Sequence, residues 1–330
     1  MTPANAAAPM ASSASLAFLQ EATAASAAIA AADRLGVLAR LETGSVDPLT
    51  LARDCGIGER GARRLLAALV GLGLVEAEPD DARYRASLPG TSARVARLLR
   101  IWSPLEEVLR SDRPAVAADT AAGAQALYAG VVAELGAWLE PVAELLADRL
   151  AAPGLRVLDL GAGAAPWSLA LAARHPDVRV TAVDLPGVLP ATRRAVAAAG
   201  RAAQFAFVAG DLFAVDFGPA AHDLAIVGNV CHLFGEATNR RLLRRLRGAL
   251  RPGGTVAILD ALPNERLDGP RPVALYALGL LLRTRGGGVY PFSTYAGWLR
   301  ASGYEAVERA DLSDAPPISL VAARRPQDPP

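Results

Sequence analysis

The fold of this 330-residue chain is decided by residues 157–166, which read VLDLGAGAAP. A short apolar run leads directly into Gly161 and Gly163, which permit a tight turn and let a ligand approach the backbone closely. Ala165 stands near the position of the third glycine in a dinucleotide-binding fingerprint, so that fingerprint is incomplete. Asp159 lies two residues before the first glycine, where a carboxylate disfavours a pyrophosphate and favours a cation. These residues therefore predict a strand and a turn that suit a cationic ligand better than a dinucleotide.

Short apolar runs alternate with helical patterns from this stretch onward. The runs cover 156–161, 179–185, 205–211, 223–229 and 255–260, and helical patterns lie between them at 167–173, 189–199 and 240–250. This alternation predicts a parallel, doubly wound sheet, and Pro252, Gly253 and Gly254 are expected to end the last helix. Two final runs, 304–312 and 318–324, have no helix between them, which favours an antiparallel hairpin at the sheet edge. The predicted fold class is therefore α/β, with a mostly parallel, seven-stranded, Rossmann-like sheet.

Acids follow the second and third strands, at the edge where open α/β sheets bind ligands. Asp184 follows Gly163 by 21 positions, close to the roughly 20-residue spacing at which an acid meets a ribose diol. Asp211 is followed by Leu212, which suits an adenine whose amine donates to the carboxylate. Either aspartate alone is more often a helix cap or a loop residue, so the inference depends on the combination. An adenosine without phosphates and with a positive charge fits best, and S-adenosylmethionine is such a ligand.

Residues 1–87 predict a winged-helix domain. Helical spacing runs over 33–41, Asp47 and Pro48 predict a helix start, a longer helix covers 59–71, and 74–87 alternate around Pro79, Asp80 and Asp81 as a β-hairpin wing. The apolar residues of the first helices exceed what a small winged helix buries, which predicts an interface. They are Leu16, Phe18, Leu19, Ile29, Leu35, Val37 and Leu38.

Residues 88–152 predict a helical segment that precedes the ligand-binding domain at 153–330. Its apolar residues recur at three- and four-residue steps and are expected in the core. They are Leu98, Leu99, Trp102, Leu105, Val108, Leu109, Tyr128, Val131, Val132, Leu135, Trp138, Leu139, Val142, Leu145 and Leu146.

Composition excludes several classes of function. The 34 basic and 33 acidic residues exclude binding to a polyanion through bulk charge. All basic residues are Arg, so a Schiff-base or P-loop lysine is excluded. Cys55 and Cys231 lie far apart and predict no disulfide framework or metal cluster, as suits a reducing cytosol. No run reaches the roughly 18 apolar residues of a membrane span, and Gln20 and Glu21 interrupt the apolar N-terminus. We therefore expect a cytoplasmic protein with no membrane segment, no bound metal and no nucleic-acid partner.

Several stretches together resemble the small-molecule O-methyltransferase family. They are VLDLGAGAAPWSLALAARHPDVRVTAVDLPGVL from residue 157, GDLF from 210, GNVCHLFGEATNRRLLRRLRGALRPGG from 228 and WLRASGY from 298. The resemblance runs from about residue 23 to 324. It implies a class I methyltransferase that transfers a methyl group from S-adenosylmethionine to hydroxyls of secondary metabolites. It also implies a homodimer joined through the winged-helix domain.

The resemblance implies roles for particular residues. His232 occupies the position of the family's general base, which removes the acceptor's hydroxyl proton as its oxygen attacks the methyl carbon. A lone histidine after an apolar strand is otherwise often a buried imidazole, but His232 is the one histidine of three at the end of the fourth strand. The candidate cofactor-binding residues are Asp159, Gly161, Gly163, Asp184, Leu185, Asp211, Leu212, Phe213 and Asn229.

Two departures from the family pattern concern this histidine. The family usually has Asp-Trp after it, whereas Leu233 and Phe234 follow here, and a family Glu that orients the histidine is replaced by Val289. Asp260, at the end of the fifth strand, is the one remaining acid that could support His232. Without an orienting carboxylate we expect a weaker base. Transfer to carbon or nitrogen, transfer driven by proximity alone, and non-methyl use of the cofactor stay open as alternatives.

The acceptor pocket is expected between the helical segment and the C-terminal domain, covered by residues 273–283. Its candidate residues are Tyr128, Trp138, Phe234, Tyr276, Tyr290 and Phe292, and their apolar character favours an aromatic or polyketide-like acceptor. A DNA-binding regulator is the alternative from another class, because Arg60, Arg63 and Arg64 begin the third helix of the winged helix. The near-neutral charge and the acids along the wing, Glu76, Glu78, Asp80 and Asp81, argue against it.

Overall fold

The computed structural model describes residues 13–79 and 82–328, which form two compact units. One unit extends to Pro104 and the other begins at Leu105. This boundary differs from the predicted ones at 87/88 and 152/153. The reason is that the helix Thr91–Trp102 packs with the N-terminal helices, whereas the helix Val132–Leu150 packs with the ligand-binding fold. The predicted middle segment is therefore divided between the two units.

The first unit is a winged helix preceded by a long helix. Its elements are α1 (Ser13–Arg34), α2 (Val37–Glu42), α3 (Pro48–Asp54), α4 (Glu59–Gly71), β1 (Val75–Ala77), β2 (Tyr84–Ala86) and α5 (Thr91–Trp102). Asp47 caps α3, because its carboxylate accepts backbone hydrogen bonds from Thr50 and Leu49 at 3.0 Å each. These bonds lower the pKa of Asp47 to about 2. The helical spacing over 33–41 is interrupted by Gly36, whose φ of 71° separates α1 from α2.

The wing is present as an antiparallel pair of β1 and β2. Its predicted tip residues, Asp80 and Asp81, lie outside the described residues. Two of the charges weighed for DNA binding have partners within this unit, since Arg63 pairs with Glu59 and Glu76 pairs with Arg85, at 2.6 Å each.

Helix α1 leaves apolar side chains exposed. Leu16 and Leu19 are 51% and 61% exposed, whereas Val37 and Leu38 of α2 are fully buried. The segment 15–34 is long and apolar enough to cross a membrane by length and composition alone. Only 6% of its most apolar 18-residue stretch is buried within the chain. The surplus apolar surface expected from the sequence therefore lies on α1.

The second unit contains a seven-stranded sheet. Its elements are α6 (Leu105–Ser111), α7 (Ala121–Tyr128), α8 (Val132–Leu150), β3 (Arg156–Leu160), α9 (Pro166–Arg174), β4 (Arg179–Asp184), α10 (Leu189–Ala198), β5 (Phe205–Ala209), β6 (His222–Gly228), α11 (Glu236–Ala249), β7 (Leu250–Asp260), α12 (Arg271–Leu281), α13 (Phe292–Ala301), β8 (Glu305–Asp314) and β9 (Pro317–Arg324). The strand order is β5-β4-β3-β6-β7-β9-β8. Strands β3 to β7 are parallel, and β9 and β8 form the antiparallel hairpin at the edge. The predicted α/β class is confirmed.

Helices cover both faces of this sheet. Val157 of β3 packs in a core with Leu146 of α8 and Leu171 of α9. Its neighbour Leu158 packs in a second core with Leu246 of α11. Successive side chains of a strand point to opposite faces, so a single strand contributes to both cores.

Two expectations from the sequence are wrong within this unit. Helix α11 ends at Ala249, and Pro252, Gly253 and Gly254 lie inside β7 rather than ending the helix. Of the expected core of α8, Leu139, Val142 and Leu146 are buried, whereas Leu135, Trp138 and Leu145 are 37%, 57% and 45% exposed. Periodic spacing identifies residues that share a helix face, but it does not identify the face that meets the sheet. Leu98, Trp102 and Leu109 are likewise exposed.

Candidate active site

The carboxyl ends of the five parallel strands meet at one edge of the sheet. The chain runs outward from β3 to β4 and β5 and then returns to β6 on the other side of β3. Such a reversal of strand order opens a crevice at the carboxyl ends, which is the usual ligand site of open α/β sheets. Asp159 and Asp184 lie in the last residues of β3 and β4, and Asp211 and His232 lie shortly after β5 and β6, so all four are near this edge.

The turn after β3 needs its glycines. Gly161 and Gly163 have φ values of 64° and 58°, in the left-handed region that favours glycine. A Cβ atom at Gly161 would also lie 2.7 Å from Cγ2 of Val230. Ala165 takes the same left-handed conformation, with φ of 58°, and begins α9 as its N-cap residue.

Asp184 connects the second strand to this turn. One carboxylate oxygen accepts a hydrogen bond from the backbone N–H of Gly163, and the other accepts one from Leu185, at 2.7 Å each. Burial raises the pKa of Asp184, and these two bonds act in the opposite direction. Each carboxylate oxygen has a second lone pair, so the group retains capacity for ligand hydroxyls.

Asp159 lies beneath the turn rather than on its surface. Its carboxylate accepts a hydrogen bond from Ser168 Oγ at 2.5 Å, and the residue is 1% exposed. Burial raises the pKa of Asp159 to about 7; the bond from Ser168 opposes this shift and the charge of Asp184 adds to it. The expected direct contact with a cationic ligand is corrected accordingly, since an enclosed carboxylate acts on a ligand through its charge and not through contact.

The end of β5 and the segment after β6 bring two aromatic rings together. The rings of Phe213 and Phe234 meet edge to face with centroids 5.0 Å apart, and the backbone N–H of Phe213 donates to Asp211 at 2.8 Å. Asn229, with φ of 57°, begins the neighbouring loop. Its Oδ1 atom is buried and has no hydrogen-bond partner within the described chain. A buried orphan acceptor at a ligand edge indicates that a ligand donor completes it.

His232 and Asp260 form a buried pair. His232 Nδ1 lies 2.7 Å from Asp260 Oδ1, and the two side chains are 3% and 1% exposed. The backbone N–H of His232 also donates to Asp260 Oδ2 at 3.2 Å. Asp260, the remaining acid that the sequence offered as a support for His232, therefore contacts the imidazole from the end of β7.

Two tyrosines extend this pair at either end. Tyr276 of α12 places its hydroxyl 2.8 Å from His232 Nε2. Tyr295 of α13 donates to Asp260 Oδ2 at 3.0 Å and is 1% exposed. Sequence reasoning placed Tyr276 in the acceptor pocket and missed Tyr295. The available signal for Tyr295 was a polar aromatic residue on the buried face of its helix, beside Trp298 and Leu299, because a buried tyrosine hydroxyl usually has a partner.

The remaining pocket candidates separate into three groups. Tyr128 packs against Leu185 and Val132 beside the cofactor edge, and burial raises its pKa. Tyr290 and Phe292 pack against the sheet core, and the Tyr290 hydroxyl donates to the backbone oxygen of Phe234 at 2.7 Å. Trp138 lies on the exposed face of α8 instead of in the pocket, so its assignment is corrected.

The residues at this edge fit S-adenosylmethionine. The free lone pairs of Asp184 suit the two hydroxyl donors of a ribose. The orphan oxygen of Asn229 suits an amine donor, and the aromatic edge of Phe213 and Phe234 suits an adenine ring. Asp159 and Asp184 give the turn two carboxylates, which favours a positively charged ligand.

Comparison with known proteins agrees with this fit. A model of the O-methyltransferase domain matches residues 143–305. The chain is 31% identical over 314 residues to 3-hydroxy-5-methyl-1-naphthoate 3-O-methyltransferase from Streptomyces sahachiroi, with 89% of this chain and 90% of that protein covered. The chain belongs to the O-methyltransferase family. This methyltransferase is also 31% identical over 304 residues to the tetracenomycin polyketide synthesis 8-O-methyl transferase of Streptomyces glaucescens, covering 85% of the chain and 88% of that protein.

The fold has a solved counterpart with the cofactor in place. Human N-acetylserotonin methyltransferase, determined in complex with S-adenosylmethionine, superposes with a TM-score of 0.71 at 22% identity, covering 96% of this chain and all of that one. The predictions of a class I methyltransferase fold, of enzyme activity and of S-adenosylmethionine as cofactor are confirmed.

Proposed function

We propose that this methyltransferase methylates a phenolic hydroxyl of an aromatic, polyketide-like small molecule, with His232 as the general base. The observation that supports it most directly is the 2.7 Å contact between His232 Nδ1 and Asp260 Oδ1. A carboxylate has no proton to donate, so Nδ1 bears the hydrogen and Nε2 bears the lone pair. An imidazole held in this tautomer presents its lone pair at Nε2, where it can take a proton from the acceptor's hydroxyl.

The chain's residues divide the catalytic work. When bound, S-adenosylmethionine supplies a methyl group that is activated by its sulfonium, so the C–O bond forms as the C–S bond breaks. His232 Nε2 takes the proton of the acceptor hydroxyl, and Asp260 stabilises the imidazolium that results. Tyr295 and the backbone N–H of Ala261 donate to Asp260 at 3.0 Å and 2.9 Å and hold it in position. The rest of the rate enhancement comes from proximity and orientation in a cavity from which water is excluded.

The cofactor residues have distinct roles in this proposal. Asp184 accepts from the ribose hydroxyls, and Gly161 and Gly163 let the methionine end approach the backbone. The adenine lies at Asp211, Leu212 and Phe213, with Asn229 Oδ1 as a further acceptor. Leu185 packs beside the ribose, and Asp159 acts through its charge beneath the turn.

The acceptor class is supported by the pocket and by the relatives. Tyr128, Phe234, Tyr276, Tyr290 and Phe292 give this part of the second unit an aromatic character. The two relatives described above carry names that specify a hydroxynaphthoate and a tetracenomycin polyketide. A fused aromatic ring with a phenolic hydroxyl combines apolar area with an acidic proton, which matches both the lining and the base. A role in secondary metabolism follows from this acceptor class.

The exposed apolar surface of α1 supports a homodimer joined through the first unit. Leu16 and Leu19 of α1 are 51% and 61% exposed in the single chain, and Leu35, directly after the helix, is 43% exposed. Exposed apolar patches of this kind mark interfaces. Light scattering should therefore show twice the chain mass, with no added lipid or nucleic acid. A concentration-independent monomer would contradict the dimer.

The decisive assay uses methyl-labelled S-adenosylmethionine with a panel of naphthols, hydroxynaphthoates and hydroxyanthraquinones. We expect labelled methyl ether products, and location of the methyl group by NMR separates transfer to oxygen from transfer to carbon or nitrogen. His232→Gln should lower kcat by about 10²–10⁴. His222→Gln is the matched control, because His222 is also buried but its ring contacts the backbone oxygen of Phe217 at 3.2 Å. A His232→Gln enzyme within about threefold of the unmodified enzyme would refute the general base, since such catalysis contributes at least about 10².

A further inference from the structure

Tyr276 occupies the atom that His232 needs as a base. Its hydroxyl oxygen lies 2.8 Å from His232 Nε2, and the two rings meet nearly perpendicularly with centroids 5.3 Å apart. Nδ1 is turned towards Asp260, so Nε2 is the acceptor and Tyr276 the donor of this bond. The His232 side chain is only 3% exposed. No acceptor hydroxyl reaches Nε2 while Tyr276 remains there.

Tyr276 is held by a helix that packs apart from the two sheet cores. Val273 and Leu280 of α12 form a small separate core with Ala261 and Val289. The guanidinium carbon of Arg283 lies 4.9 Å from the centroid of the Tyr276 ring, a distance at which a cation is attracted to the ring face. The tyrosine therefore has a defined position, on a helix whose buried residues form a small core of their own.

Two roles are consistent with a tyrosine at this place, and the chemistry favours one of them. In a relay, the acceptor's proton would pass through the Tyr276 hydroxyl to Nε2. Burial raises the pKa of Tyr276, although Arg283 acts against this shift, so the phenolate form that a stepwise relay requires is disfavoured. In a displacement, a phenolic acceptor replaces one phenol–imidazole hydrogen bond with another of the same kind. His232 Nε2 then keeps a hydrogen-bond donor, and the exchange costs the one hydrogen bond that Tyr276 gives up.

We propose that Tyr276 is a displaceable cap on His232 Nε2, which the hydroxyl of a phenolic acceptor replaces before transfer. The proposal rests on His232 as the base proposed above and adds a determinant of specificity. An acceptor that moves Tyr276 aside but offers no hydroxyl leaves a buried imidazole nitrogen unpaired, which is unfavourable. Tyr276 thereby selects acceptors that bear a hydroxyl over those that have none.

The kinetic test compares Tyr276→Phe with Tyr304→Phe, using the phenol that the enzyme turns over fastest in the panel. Tyr304 is a matched control, because it is a buried tyrosine whose hydroxyl donates to the backbone oxygen of Leu243 at 3.0 Å. Removal of the cap should lower KM for the phenol by about 3- to 10-fold, the equivalent of one neutral hydrogen bond. The value of kcat should stay within about threefold, because the base and its carboxylate are intact. Tyr304→Phe should leave both constants unchanged.

A spectroscopic test reports on the imidazole without any turnover. The chain has three histidines, so ¹⁵N-histidine labelling resolves each ring, and His232→Gln assigns the resonance. In Tyr276→Phe the Nε2 resonance of His232 should move downfield, as expected for a lone pair that has lost its donor. Addition of 2-naphthol with the product S-adenosylhomocysteine should reverse this shift. Naphthalene, which has the same rings and no hydroxyl, should not reverse it.

The outcomes separate the cap from the proposed function. If Tyr276→Phe lowers the turnover number by about 100-fold or more and leaves KM unchanged, the tyrosine is a relay and the cap is overturned. An Nε2 resonance unaffected by Tyr276→Phe would show that the hydrogen bond is absent and would also overturn it. If no phenol is methylated by the unmodified enzyme, yet the resonance responds to Tyr276→Phe and to 2-naphthol as expected, the cap is supported and the proposed function fails.

Discussion

Replacement of Asp260 by Asn is the strongest perturbation of the proposed base. The Asp260 carboxylate accepts four hydrogen bonds. Oδ1 accepts from His232 Nδ1 at 2.7 Å and from the backbone N–H of Ala261 at 2.9 Å. Oδ2 accepts from the Tyr295 hydroxyl at 3.0 Å and from the backbone N–H of His232 at 3.2 Å. An asparagine has the same shape but only one acceptor oxygen, so one of these two pairs of donors must face an NH₂ group.

The magnitude follows from that count. One buried donor loses its acceptor if the imidazole changes tautomer, and two lose it otherwise, at about 1–3 kcal/mol each. The free energy of unfolding should therefore fall by roughly 1–6 kcal/mol. If the NH₂ group faces Nδ1, the imidazole adopts the other tautomer and Nε2 no longer has a lone pair. If the amide oxygen faces Nδ1, no negative charge stabilises the imidazolium. In both orientations we expect kcat to fall by about 10²–10⁴.

The assay combines methyl transfer, calorimetry of S-adenosylmethionine binding and thermal unfolding. Cofactor affinity should stay within about threefold in Asp260→Asn, because the hydrogen bonds of Asp260 go to His232, Ala261 and Tyr295 and not to the glycine turn. Tyr295→Phe is the control, since it removes one donor and leaves both oxygens of the carboxylate. Its kcat should fall less than about tenfold, the scale of a single hydrogen bond. An Asp260→Asn enzyme that is destabilised but keeps kcat within threefold would refute the orientation of His232 by Asp260.

Two further predictions concern the cofactor turn. Asp184→Ala removes the acceptor proposed for the two ribose hydroxyls, together with its 2.7 Å bonds to Gly163 of the turn and to Leu185. S-adenosylmethionine binding should therefore weaken by about 2–4 kcal/mol. Unchanged affinity by calorimetry in a folded variant would show that the ribose lies elsewhere. Burial raises the pKa of Asp159 to about 7, against 3.8 for the free group. Between these two pH values the folded enzyme keeps a proton on Asp159 that the unfolded chain has lost. The free energy of unfolding of the cofactor-free enzyme should therefore fall by roughly 4 kcal/mol as the pH rises from 4 to 7. Asp159→Asn should abolish that dependence, and thermal unfolding that responds equally to pH in both proteins would contradict it.

Much of the candidate site follows from local sequence patterns. Gly161 and Gly163 adopt the left-handed φ values that the turn requires, and Asp184, Asp211 and His232 follow strands that end at one edge. These features depend on the strand period and on the conformational freedom of glycine, which act over a few residues. The departures from the family pattern around His232 were also visible in the sequence. The sequence alone did not show whether Asp260 compensates for the missing acids, because spacing along the chain does not show where a distant carboxylate lies.

The sequence by itself determined the order of strands and helices, the class of fold and the identity of the cofactor, since each depends on short-range patterns and on spacing along the chain. Only the tertiary structure decided which side chains complete the site. Tyr276 lies 44 residues from His232 and Tyr295 lies 35 residues from Asp260, yet both are within hydrogen-bond distance of them. Tertiary packing likewise turned Trp138 outward and enclosed Asp159 against Ser168. The physical reason is that helical spacing groups residues on a face, whereas the rotation of each helix against the sheet, set by the packing of both cores, determines what that face contacts.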